Sequence, residues 1–173
     1  MKDGTQKTRL ENSLKALGTE GDHNGVNVGF GTNKDGAAGN TEPVYDQKTG
    51  KETFNITLDP SKLSSTNDYA VGAAHEGTHV SDTEMMLSNP SGGVLSYFQL
   101  EYRGYQTSAW ASEALGADTL AVKGNVIWNS SWGAADRATL QDKAITKTVT
   151  GLDTPGQKDP PHAETTPHNP WPN

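Results

Sequence analysis

The sequence predicts a small α+β domain, a short sheet followed by two helices joined at a tight break. Three observations carry this. Alternating apolar and polar residues end at Leu58; after Ser64-Ser65-Thr66 the apolar period lengthens to that of a helix; and Asn89-Pro90-Ser91-Gly92-Gly93 divides the helical stretch in two. A chain of 173 residues suits one domain of ordinary size, assigned here to residues 1–150.

Each element has its own signal. Leu10, Leu14 and Leu17 recur at helical spacing within Arg9–Leu17, and Gly18 supplies a stop. Val26-Asn27-Val28-Gly29-Phe30 alternates as a half-buried strand does, whereas residues 31–41 are rich in Gly and Asn and read as a loop. Thr53–Leu58 is the clearest strand: Phe54, Ile56 and Leu58 share one face, Thr53, Asn55 and Thr57 the other, and Pro60 ends the run. Tyr69–Leu87 lacks proline and is rich in Ala, Val and Met, which predicts a helix capped near Ser65 or Thr66. A second long helix is expected from about Val94 to Leu115, with Tyr97, Phe98, Leu100, Tyr105, Ala109 and Trp110 on its apolar faces. A third covers Ala134–Thr148 with a stripe of Leu140, Ala144 and Ile145.

The last stretch, Gly151–Asn173, holds six of the nine prolines and only Leu152, Ala163 and Trp171 as core-seeking residues. Such a segment cannot recover its ordering entropy, so an extended or disordered tail is expected, with Trp171 exposed and His162 and His168 free of any metal.

Charge and composition exclude several function classes. With 14 Lys and Arg against 21 Asp and Glu the formal net charge is −7, which argues against a general binder of nucleic acid or anionic membrane. No apolar run approaches the ~20 residues of a membrane span, and Met1-Lys2-Asp3-Gly4 does not lead into an apolar signal core. Export would then depend on another system or on a parent polypeptide. The absence of cysteine excludes disulfides, thiolate metal sites and a cysteine nucleophile.

The motif that carries chemistry is His75-Glu76-Gly77-Thr78-His79, an H-E-x-x-H pattern inside the predicted metal-bearing helix. At 3.6 residues per turn His79 lies about 40° around the axis from His75, so both imidazoles reach one ion. Glu76 lies about 100° away, near enough to touch a water in an open zinc position, whose pKa such a site lowers to about 7. Glu76 is thereby a candidate general base and acid. Chance places this pattern in a chain of this composition about once in a hundred. It also follows the apolar run Ala70–Ala74, where ionisable groups need partners.

A third ligand decides the class. The metzincin position six residues beyond His79 is Met85, and a deformylase-like site needs a cysteine. The next helix offers Glu101-Tyr102-Arg103-Gly104-Tyr105. From His79 to the break is about 12 Å of helix, and from Val94 to Glu101 about 10 Å. An antiparallel hairpin therefore returns Glu101 level with the histidines, with Asp82 and Glu84 next in line. Asp82 could instead orient a ligand histidine. Tyr105, one turn past Glu101, could orient a ligand or donate to the oxyanion of an attacked carbonyl; Tyr102 and His23 are weaker candidates for that role.

HEGTH followed 22 residues later by EYRGY resembles the gluzincin metallopeptidases, whose third zinc ligand is a Glu on the next helix. The compact size and the E-x-x-(small)-Tyr pattern are most similar to small bacterial gluzincin domains, including C-terminal toxin domains of Rhs-type polymorphic proteins. The resemblance covers roughly Thr53–Leu120. It implies a zincin-like fold, Zn2+ on His75, His79 and Glu101, Glu76 as the proton shuttle, and a peptide or protein substrate. It also implies a toxin or effector setting, with a parent polymorphic protein and an immunity protein as partners. In such an enzyme an edge strand before the metal helix holds extended peptide by main-chain pairing, a role that would fall to Thr53–Leu58. Gly77 and Thr78 depart from the family pattern, and Gly77 either widens the cleft floor or permits close helix packing. Rival readings are a zinc-stabilised binding or scaffold module without turnover, hydrolysis of a non-protein amide, and a metal-free structural domain.

Overall fold

A computed structural model of the protein describes residues 4–151. Helix α1 (Gly4–Leu17) leads into strands β1 (Val26–Phe30), β2 (Gly39–Asp46) and β3 (Lys51–Leu58). Helix α2 (Thr66–Ser88), a single 3-10 turn (Pro90–Gly92) and helix α3 (Tyr97–Ala114) follow. The described chain ends with strands β4 (Thr119–Val122) and β5 (Asn125–Asn129) and helix α4 (Arg137–Thr150). The architecture is α+β, with a mixed three-stranded sheet in the order β1-β3-β2 and a separate β4-β5 hairpin. The Pro-rich tail, with His162, His168 and Trp171, lies outside the described residues.

The sheet is built around β3. It runs parallel to β1, with Val26 opposite Phe54, and antiparallel to β2, with Thr41 opposite Ile56. Phe54, Ile56 and Leu58 are buried, as the alternation requires, and join Leu63, Val80 and Ala16 in one core cluster. Central placement overturns the expected edge position of Thr53–Leu58. The missing neighbour was β2, whose Gly39, Asn40 and Pro43 have low strand propensity; its first three residues fall in the stretch read as loop. β1 and β2 are the two edge strands, and it is β2 that lies beside α2 through Thr41.

Helix ends follow their side chains. Ser65 caps α2 in a reciprocal box with Asp68, and Ser96 caps α3 in a second box with Gln99. Gly18 ends α1 at φ +73°, a conformation glycine adopts without steric penalty. The β4-β5 hairpin lies in a stretch for which the sequence offers no strand signal. It turns through Lys123 (φ 49°) and Gly124 (φ 77°), the pair of positive φ values that a two-residue hairpin demands. On α4 the buried face is Gln141, Ile145, Thr148 and Val149, while Leu140 is exposed; the expected stripe is rotated because Ile127 of β5 packs on Ile145 and Val149.

Gly77 is explained by packing. A Cβ there would stand 2.6 Å from the Ser13 carbonyl oxygen and 2.7 Å from its Oγ, while Ser13 Oγ donates to the Ala74 carbonyl at 2.6 Å. The glycine thus lets α1 lie directly on α2. Helix propensity alone assigns Gly77→Ala a gain of roughly 0.8–1 kcal/mol. We expect a loss of about 1–3 kcal/mol instead, from overpacking, measured as a lower urea midpoint at unchanged m-value.

Candidate metal centre

The hairpin of α2 and α3 brings His75, His79 and Glu101 together, with their ligand atoms all within 4.8 Å of one another. Among the described residues this is the one group of three or more His, Cys, Asp or Glu side chains that could hold a metal ion. Glu101 Oε2 stands 3.7 Å from His75 Nε2, and Glu101 Oε1 stands 3.5 Å from His79 Nε2. Two donors of a tetrahedral zinc are separated by roughly 3.3–3.6 Å at ordinary bond lengths. Each imidazole nitrogen thus stands near donor spacing from one oxygen of the Glu101 carboxylate, and the three groups together could hold a metal ion.

Helix geometry places each group. His75 and His79 are one turn apart on α2, their rings 4.8 Å centroid to centroid. On α3 the stripe Glu101, Gly104, Tyr105 and Ser108 faces them at i, i+3, i+4 and i+7. The small residue of the pattern has a steric cause: a Cβ on Gly104 would come within 2.7 Å of His75 Cε1 and Nε2. The ring of Tyr105 meets His75 edge-on at 4.6 Å between centroids.

Ser108 sets the tautomer of His75. Its hydroxyl donates to the Gly104 carbonyl at 3.2 Å, so its oxygen is left to accept from His75 Nδ1 at 3.2 Å. Assigning the proton to Nδ1 leaves the Nε2 lone pair for a metal. Glu76 is held from the sheet side. Thr41 Oγ1 donates to Glu76 Oε2 at 2.7 Å, and the carboxylate lies so close over Gly39 that a Cβ there would reach Oε1. Ser108 could have been read from its i+7 spacing to Glu101. Thr41 and Gly39 could not, because their strand was not visible.

Other sequence candidates lie elsewhere. Asp82 is buried but bonds no ligand histidine: Arg103 Nε and Nη2 donate to its two oxygens, each at 2.6 Å. It binds α3 to α2 one turn below the cluster. Tyr102 donates to Asp142 Oδ1 at 2.5 Å, which directs its hydroxyl to α4 and away from an oxyanion role; burial and Asp142 push its pKa up to about 12. His23 and Glu84 are exposed and outside the cluster.

Burial and mutual charge shape the protonation states. For His75, burial pulls the pKa down, but the bond to Glu101 and the charges of Glu76 and Glu101 outweigh it, and the net shift is upward. His79 is lowered to about 4 by burial and by the His75 charge. Burial raises Glu76, only partly offset by His75 and the Thr41 hydroxyl. For Glu101 burial works upward, yet His75 and His79 win and hold it below the usual carboxylate range. Tyr105 is pushed up by burial and by Glu101, Tyr97 and Glu76, and stays protonated.

Comparison of the chain with protein-family models, with curated proteins and with solved structures returns no match. The site therefore stands on its own geometry.

Two outcomes follow from that geometry. Ser108→Ala removes the acceptor that fixes His75 and is expected to weaken metal affinity by about 10- to 100-fold, measured by competition with a chromophoric chelator. Metal must also displace the proton that Glu101 and Glu76 favour on His75, so affinity should fall as pH drops below the raised His75 pKa and level off above it. The same titration repeated across pH checks the sign.

Proposed function

We propose that the protein is a zinc-dependent hydrolase of peptide bonds, of gluzincin type. The observation that carries the reading is the convergence of two histidines and a glutamate from consecutive helices, with a buried second glutamate beside them. Zinc in a two-His, one-carboxylate set supplies Lewis-acid chemistry and activation of a water.

The chain's own residues account for the remaining steps. Thr41 occupies one of the four lone-pair positions of the Glu76 carboxylate, which fixes its plane and leaves the others to carry a proton. The raised pKa of Glu76 suits a group that takes a proton from the attacking water and returns it to the departing amine. Tyr105, protonated and set against the His75 ring, is the proposed donor to the carbonyl oxygen as it gains charge. β2, an edge strand bonded to α2 through Thr41, takes over the peptide-pairing role expected of the strand before the metal helix. A toxin or effector setting extends the reading to the protein's surroundings and rests on resemblance alone. Among the described residues no helix is long and apolar enough to cross a membrane.

Profiling zinc-loaded protein against a peptide library tests the proposal. Cleavage is expected with the wild type, a fall of about 10²–10⁴ in kcat for Glu76→Gln at unchanged zinc content, and a fall of about 10²–10³ for Tyr105→Phe. Zinc retention with no cleavage of any peptide would leave the scaffold module, and cleavage indifferent to Glu76→Gln would remove Glu76 as proton carrier.

A further inference from the structure

Beside the metal cluster, on the neighbouring stripe of α2, lies a separate cavity of about 610 Å³ between α1, α2 and α3. Arg9, Asn12, Ser81, Asp82 and Arg103 are among its lining residues. Two of the chain's three arginines meet there. The chain as a whole is acidic, yet the only carboxylate in this lining is Asp82, and both its oxygens are taken by Arg103. The lining thus carries one net positive charge.

Both guanidinium groups are held before any ligand arrives. Arg103 is fixed by its fork to Asp82. Arg9 lies over the Trp110 ring at 5.2 Å and donates from Nη1 to Gln106 Oε1 at 2.6 Å, which uses one of five donors. Burial and the Arg103 charge both disfavour the charged form of Arg9. Asp82, whose two oxygens Arg103 already engages, offsets these effects only in part, and an oxyanion is the chemistry that supplies further counter-charge, through paired N–H donors of a rigid fork. Side chains fixed in advance reduce the ordering cost of binding.

We propose that this cavity is a binding site for a small oxyanion-bearing ligand, a phosphate or carboxylate group, with Arg9 as its principal donor and Asn12 and Ser81 beside it. The assignment is independent of the metal centre and of any catalytic activity.

Amide NMR titration of the protein with inorganic phosphate, and separately with acetate, at constant ionic strength and neutral pH, tests it. Saturable shifts at the amides of Asn12 and Ser81 are expected for at least one anion. Tighter phosphate binding identifies a phosphoryl group, tighter acetate binding a carboxylate. Arg9→Gln should weaken the binding at least about tenfold, the effect of losing a charge-assisted hydrogen bond. Asn12→Asp, at an exposed position that tolerates the change, should weaken it through charge alone and keeps the test decisive if Arg9→Gln fails to fold. Shifts linear in concentration for both anions would overturn the proposal. So would binding unchanged in the folded variants, or shifts confined to residues 75–79 and 101.

Discussion

At Gly104 the second and third helices approach so closely that the imidazole of His75 rests against bare backbone, and the rest of the site depends on that contact. Any side chain at this position would hold the helices apart, and Glu101 would no longer stand level with the two histidines. The same approach sets Ser108 under Nδ1 and Tyr105 against the ring edge. One turn below, the Asp82–Arg103 fork locks the two helices at that spacing. On the far side of α2, Gly77 repeats the device with α1. The metal helix is therefore gripped on two faces by glycine-mediated contacts, which leaves little freedom in the direction its histidines point.

Concentrating His75, His79, Glu76 and Glu101 in a buried hairpin is unfavourable without partners, since charges removed from water must be compensated. In the protein as described, His75 and Glu101 compensate each other, Glu76 is pushed toward its neutral form, and His79 is kept neutral. A divalent ion would supply what these groups lack. Its binding energy would then contribute directly to folding, because the donor set exists only in the folded hairpin. The convergence of these three donors is thus an energetic statement as much as a spatial one.

Much of this was legible in the sequence, and the failures have physical reasons. The hairpin could be read because the first helix has a capping serine or threonine at its start, both helices have long apolar periods without proline, and Asn89–Gly93 breaks them apart; near-equal arm lengths then placed Glu101. β3 was visible because one face is fully buried. β2 was not, because it begins Gly-Asn, contains Pro43 and owes its strand conformation to pairing with β3. Losing β2 concealed Thr41 and Gly39, the residues that hold Glu76, and left nothing to contradict the edge position that the family resemblance implied for β3. Asp82 was expected near a ligand because it shares a face with His79; its partner proved to be Arg103, a long-range pairing that helical spacing within α2 cannot reveal. Leu140 misled for the opposite reason, since an apolar residue on a surface helix need not face the core.

The central claim is that His75, His79 and Glu101 form one metal site, and zinc content per chain, compared by elemental analysis between wild type and Glu101→Ala, tests it most directly. The account predicts one zinc per wild-type chain and much weaker retention in the variant. Equal zinc in both proteins would remove Glu101 from the donor set, and no zinc in the wild type after reconstitution would contradict the site altogether.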